Sequence, residues 1–348
     1  MTSTVPTRTV ERNEKRTALI EMIGGYMTAH ALGLAAELRL ADLIRDDVRD
    51  SAELARETGT HKPSLRRLLR MLAAVGITTE PSPDRFGLTE LGAQLRSDSP
   101  DSLYSFTRFF CHESHFRAWL GLEHSVRTGE AAWEHVFGTT IYSSFGEDPE
   151  LGALFNRATG QESRISAELV AAAYDFADVT KVVDVGGGDG ALLKAVLIAN
   201  PHLTGVVFDS PSCVAQAETV LTEAGVADRC EVVGADFFTA IPAEGDLYII
   251  KSDIQDWDDD AARIVLRSCR KHLPGTARLL IVGSVLPETA SPDKPVVFLT
   301  DMNMLVSSGG QVRTEREFRA LFADTGFAVR SVDIGAAGPL SIIEAVPV

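Results

Sequence analysis

Apolar residues recur every three to four positions from Arg16 to Ile44, through Leu19, Met22, Ile23, Tyr26, Leu32, Leu34, Leu38 and Leu43. That period predicts an amphipathic helix. Its apolar surface exceeds what one helix face needs, and the small pair Gly24–Gly25 beside Tyr26 permits close helix approach. Two roles fit it, a contact with a second subunit or an ordinary core helix. Ser51–Ala55 and Pro63–Val75 predict two short helices joined by Thr58–Gly59–Thr60, with Ser51 and Ser64 as N-caps. Ile77–Glu80 and Arg85–Leu88 predict a two-stranded wing around Pro81–Ser82–Pro83–Asp84. Helix, turn, helix and wing together are the outline of a winged helix.

From Ser102 to Tyr174 the chain reads as helical and aromatic-rich, interrupted by Gly129, Gly138 and Gly146. Part of that aromatic density must be core; beside a cofactor domain it also suits a pocket for a flat, apolar ligand. After Lys181 the rhythm becomes strand then helix. The predicted strands are Lys181–Val185, Thr204–Asp209, Cys230–Val233, Leu247–Lys251, Ala277–Gly283, Phe327–Ile334 and Leu340–Val346. Only Gly335–Pro339 separates the last two, so a parallel sheet ends in an antiparallel hairpin. That ending marks the methyltransferase variant of the doubly wound α/β (Rossmann-like) fold. The chain divides into a helical, winged-helix dimerisation domain (1–100), a helical connector and substrate lid (101–175) and a cofactor-binding domain (176–348).

Composition narrows the classes. A chain of 348 residues supports two domains. Although 45% of its residues are apolar, no uninterrupted run approaches the roughly 18 that a spanning helix needs. Met1 to Arg16 is polar and mixed in charge, without the apolar block of a secretory signal; a cytoplasmic protein with no membrane partner is expected. The four cysteines, Cys111, Cys213, Cys230 and Cys269, stand singly, so neither a metal site nor a redox pair is expected. A net charge of −16 repels a phosphate backbone, and the winged-helix outline is read as structural rather than nucleic-acid-binding.

The candidate chemistry begins at Val182–Gly190, an apolar strand running into a glycine-rich turn and a helix from about Ala191. Gly186, Gly188 and Gly190 let the backbone turn tightly and approach a ligand. The spacing is not the full dinucleotide fingerprint, which weighs against a pyrophosphate. Asp209 ends the next strand, where this fold places the acid that binds ribose hydroxyls. Asp236, with Phe237 and Phe238, follows the third strand, where a carboxylate beside an aromatic suits adenine. Asp258–Asp260 begin the helix after the fourth strand, where acids suit the dipole.

These residues resemble, over nearly the full chain, the S-adenosylmethionine-dependent O-methyltransferases typified by caffeic acid O-methyltransferase, with bacterial relatives acting on polyketide and antibiotic scaffolds. The likeness lies in Gly24–Gly25–Tyr26, the winged-helix region, Asp184–Gly190, Phe208–Asp209, Asp236–Phe237–Phe238, Lys251–Asp259, Asp301–Met304, Gly309–Gly310 and Arg313–Thr314. It implies that Gly186, Gly188, Asp209, Asp236, Phe237 and Lys251 hold S-adenosylmethionine. It further implies that Asn303 and Met304 face a small aromatic acceptor and that the N-terminal helices form an intertwined homodimer.

One departure touches the chemistry. Where plant-type members carry a histidine base, this chain has Gln255, and two supporting acidic positions fall at Gly283 and Val312. A positioned base contributes about 10²–10⁴ in rate, whereas alignment of two reactants can contribute an effective molarity of roughly 10⁵–10⁸ M. O-methyl transfer driven mainly by proximity is therefore the expected function. The alternatives are a non-methylating relative that retains the cofactor, as hydroxylase, decarboxylase or cyclase, and a winged-helix regulator. His112 and His115, which can share a helix face, are candidate replacement bases; Asp256 can orient the acceptor or Gln255, and Tyr142 lies in the lid.

Overall fold

The computed structural model describes residues 7–99, 102–235, 241–242 and 245–348, with side chains from residue 13 onward. The chain forms two compact units that divide between Glu113 and Ser114. Among the described residues, no helix is long and apolar enough to cross a membrane.

In the first unit the single helix expected from Arg16 to Ile44 is three: Thr7–Ile23, Gly25–Glu37 and Leu40–Ile44. Gly24 parts the first two. Arg39 parts the last two, in the left-handed region at φ 54° and held by Asp42 at 2.9 Å. The turn drops Leu40 and Ile44 into a core with Ala31, Leu54, Leu65, Leu69 and Phe86, and the periodicity alone did not show it. Helices Ser51–Thr58 and Lys62–Ala74 follow. Their N-caps are Asp50 and His61 instead of Ser51 and Ser64. Asp50 is extended and its carboxylate accepts from Ala52 N at 2.8 Å, while Ser51 is wholly buried. The expected wing is present: β1 (Arg49–Asp50), β2 (Thr78–Ser82) and β3 (Arg85–Leu88) form an antiparallel sheet in the order β1-β3-β2. One apolar strip stays outside this core. Leu19, Ile20, Met22, Ile23 and Tyr26 are between 57% and 78% exposed.

The second unit is built on seven strands: β4 (Lys181–Val185), β5 (Thr204–Asp209), β6 (Cys230–Gly234), β7 (Leu247–Lys251), β8 (Arg278–Gly283), and, after the short pair β9 (Val285–Leu286) and β10 (Arg313–Thr314), β11 (Phe327–Ala337) and β12 (Leu340–Pro347). Their order is β11-β12-β8-β7-β4-β5-β6. β8 to β6 run parallel, and β12 joins β8 antiparallel, as does β11 to β12. The hairpin ending read from the sequence is thus observed. Val182, Val183, Val185 and Leu247–Ile250 are at most 2% exposed, because helices cover both faces of the sheet and the strands become continuous apolar runs. One core packs Leu193, Val196, Val207, Ile249 and Leu280 on one side; the other packs Val183, Ile250, Val265, Leu279 and Phe322. The chain's path switches sides of the sheet between β4 and β7, and this fold places ligands at the carboxyl ends of strands flanking such a switch.

Candidate active site

The parallel register brings Gly186, Asp209, Lys251 and Gly283 to the carboxyl ends of the neighbouring strands β4, β5, β7 and β8. The turn after β4 is set by three left-handed glycines, Gly186 (φ 78°), Gly188 (φ 53°) and Gly190 (φ 78°), a conformation that costs L side chains strain. Gly190 caps the helix Ala191–Ala199. At Gly188 a Cβ would meet nothing within 4 Å, so this part of the turn opens outward. Gly188 N donates to Asp209 Oδ2 at 3.0 Å and Ser210 N to Asp209 Oδ1 at 2.6 Å, fixing the carboxylate at the lip of the turn. Burial raises the Asp209 pKa and these backbone bonds oppose the rise.

Lys251, 9% exposed, ends β7 with Nζ 3.3 Å from Glu162 Oε2 on the long helix Pro149–Ala173. On the same helix, Arg164 pairs with Asp189 of the glycine turn at 3.2 Å. Beneath the turn lie two carboxylates that the sequence did not single out for chemistry. Asp184 is 2% exposed, and burial pushes it up to about 7, with Lys251 opposing. Asp253 faces Gly186 so closely that a Cβ there would collide with its Oδ2. It packs with Val185, Ile250, Trp257 and Val265 in a space too tight to hold a water molecule. Burial and the neighbouring Asp256 hold its pKa well above the carboxylate range. The Oδ2 atoms of Asp184 and Asp253 are buried without a hydrogen-bond partner.

Gln255 and Asp256 sit on the single turn Ile254–Asp256 after β7. Gln255 Oε1 lies 4.0 Å from where a Cβ on Gly283 would stand, and the loop backbone presses so closely on Gly310 that no side chain fits there. Arg313, 1% exposed, fastens this loop: Nη1 donates to Ile254 O at 2.9 Å, Nη2 to Trp257 O at 3.0 Å and Nε to Asp259 at 3.0 Å. Asp256 Oδ2 accepts from the Tyr142 hydroxyl at 2.6 Å, from the helix Ile141–Glu147. Asn303 and Met304 are half-buried on the helix Pro295–Ser307, and Asn303 Oδ1 accepts from Trp119 Nε1 at 3.2 Å.

The two candidate histidines part company. His112 precedes the helix Glu113–Trp119 and belongs to the first unit, so it shares no helix face with His115. His115 is 3% exposed, edge-on to Trp133 with ring centroids 5.4 Å apart. Asp236 and Phe237, with Phe238, lie outside the described residues.

A glycine turn beside a strand-end carboxylate, in a parallel sheet closed by an antiparallel hairpin, defines a methyltransferase-type cofactor domain. Comparison with known proteins takes this further. Residues 119–328 match the O-methyltransferase domain model, and residues 20–98 match the O-methyltransferase dimerisation domain model; the chain belongs to this O-methyltransferase family. It is 43% identical to a phenazine O-methyltransferase of Lysobacter antibioticus, covering 95% of this chain and 96% of that one. It is 43% identical to an O-demethylpuromycin-O-methyltransferase of Streptomyces alboniger, covering 95% and 89%. A solved mitomycin 7-O-methyltransferase superposes with a TM-score of 0.90 at 38% identity, over 98% of this chain and all (100%) of that one.

Proposed function

We propose that the protein is an S-adenosylmethionine-dependent O-methyltransferase acting on a hydroxyl of a small aromatic natural product. The observation that carries the reading is the cluster of carboxyl groups at the strand ends. Asp184, Asp209, Asp253 and Asp256 gather where the strands end, with Lys251 already paired to Glu162. Two of their buried oxygens lack partners beneath an open glycine turn. Such a set of acceptors fits a ligand carrying a sulfonium and an ammonium. The cofactor supplies a methyl group already activated for transfer.

In this reading Gly186 and Gly188 bring backbone against the cofactor, Asp209 takes its ribose hydroxyls and Lys251 fixes the strand end; Asp236 and Phe237 keep the adenine role implied by the sequence. Asn303, Met304 and Tyr142 bound the acceptor. Gln255 can hold a hydroxyl by hydrogen bonding but takes no proton at working pH. Residues 1–100 serve dimerisation, 101–175 connect and cover the acceptor, and 176–348 bind the cofactor. The protein works as a homodimer, in the cytoplasm.

The test is incubation of the purified chain with methyl-labelled S-adenosylmethionine and a panel of hydroxylated phenazines, naphthoates and quinones, read by mass spectrometry. Label on an acceptor oxygen supports the reading. An acceptor altered without label, or no S-adenosylhomocysteine with any acceptor, overturns it.

A further inference from the structure

Gln255 leaves the loop after β7 without the expected base, but the next residue is placed to take that part. The Asp256 carboxylate accepts the Tyr142 hydroxyl at 2.6 Å, joining two residues 114 positions apart. Tyr142 is held from behind. Its ring stands edge-on to Phe145 and Phe155 at 5.9 and 6.3 Å, and those two rings stack at 4.5 Å. Arg313 pins the loop on either side of Asp256 through the carbonyls of Ile254 and Trp257. The carboxylate is therefore fixed from below by the loop and from across by the lid.

We propose that Asp256 is the proton acceptor for the hydroxyl being methylated, and that Tyr142 is the positioning residue that aims the carboxylate and sets its proton affinity. The inference rests on the methyltransferase reading above. As the acceptor oxygen forms its bond to the methyl carbon, its proton passes to the Asp256 carboxylate. The old carbon–sulfur bond breaks with its electron pair on sulfur, and the proton afterwards leaves to solvent. Atoms and charge balance without a further reactant.

The groups facing Asp256 fix the sign of its titration. Burial raises its pKa to about 7, and the Tyr142 hydrogen bond from the lid helix lowers it against that trend. Asp253, on the same loop, has its own pKa raised by burial and by Asp256. Above about pH 7 Asp256 is a carboxylate and able to accept a proton, near where a general base works best.

The experiment compares wild type, Asp256→Asn and Tyr142→Phe in pH profiles of kcat/KM, with the panel phenol that is methylated fastest. Wild type should show an acidic limb near pH 7. Tyr142→Phe removes the bond that favours the carboxylate, so its limb should move up by about one pH unit, with most of the rate recovered at high pH. Asp256→Asn should lose about 10²–10⁴ in rate at every pH, while S-adenosylhomocysteine binding, read by calorimetry, changes only a few-fold. Wild-type rates in Asp256→Asn, or an unmoved limb in Tyr142→Phe, overturn the proposal and leave the methyltransferase reading standing. The infrared carbonyl stretch of the protonated carboxyl reads the pair without any acceptor. In the difference spectrum of wild type minus Asp256→Asn, which cancels the buried Asp184, a band should titrate near pH 7 and shift in Tyr142→Phe; its absence from that difference overturns the proposal even if no panel phenol is methylated.

Discussion

A carboxylic acid that the fold buries at 2% exposure, with a pKa near 7, makes Asp184 a measurable load on stability. Unfolded, an aspartate titrates near about 3.9. Between about pH 4 and 7 the folded chain therefore holds a proton that the unfolded chain has lost. Stability from this residue is full at low pH and falls as pH rises through that window, by up to roughly 4 kcal/mol. Asp184→Asn is expected to melt above wild type at pH 8 in the absence of cofactor, and to lose that advantage at pH 5; thermal melts at the two pH values check it. The sequence showed Asp184 as the polar member of an apolar strand and the start of the glycine-turn run, and said nothing of its burial. Its burial follows from the turn of Gly187, whose Cβ would stand 3.0 Å from the Asp184 carboxylate, and strand patterning says nothing of that. Gln255, Gly283 and Val312 could be picked out because their neighbours form a recognisable run. The Tyr142–Asp256 pair could not, since no local period links residues 114 apart.

At the scale of elements, strands were the most legible. A buried parallel strand leaves an unbroken apolar run bounded by polar turns, and β4, β5 and β7 occur with the bounds read from the sequence. The long N-terminal helix was not, because a left-handed Arg39 interrupts it without altering the spacing of Leu38, Leu40 and Leu43. A second element-scale feature is the tie between β10 and the loop after β7. Arg313 donates to two loop carbonyls and to Asp259 while 1% exposed, so burial lowers its pKa and Asp259 opposes that. Arg313→Met leaves those carbonyls without their donor, while Asp259 keeps Gln311 at 2.6 Å and Arg263. The variant should lose about 1–3 kcal/mol in urea unfolding, and amide exchange at Gln255 and Asp256 should quicken while β5 stays protected. An unchanged exchange rate in the loop would show that the tie is dispensable.

For the whole molecule, the strip of Leu19, Ile20, Met22, Ile23 and Tyr26 is too apolar and too exposed to face water, and residues 20–98 match the family's dimerisation domain. Met22→Glu with Ile23→Glu should convert the dimer into a monomer in sedimentation velocity, with the helical circular dichroism kept. A dimer that survives the double change would move the contact elsewhere. Charge acts at the same scale. The chain carries −16 overall, and part of that charge, Asp184, Asp209, Asp253 and Asp256, gathers at the proposed cofactor site around Lys251, itself paired to Glu162. Methyl transfer turns a cofactor with a positive sulfur into one with a neutral sulfur. The pocket that attracts the first therefore loosens its hold on the second, and turnover is favoured by electrostatics before any part of the protein moves. The spent cofactor should bind more weakly than the fresh one, by a margin that narrows in Asp209→Asn. At the proposed site, acid lining makes a one-way valve, admitting the charged form and shedding the discharged one.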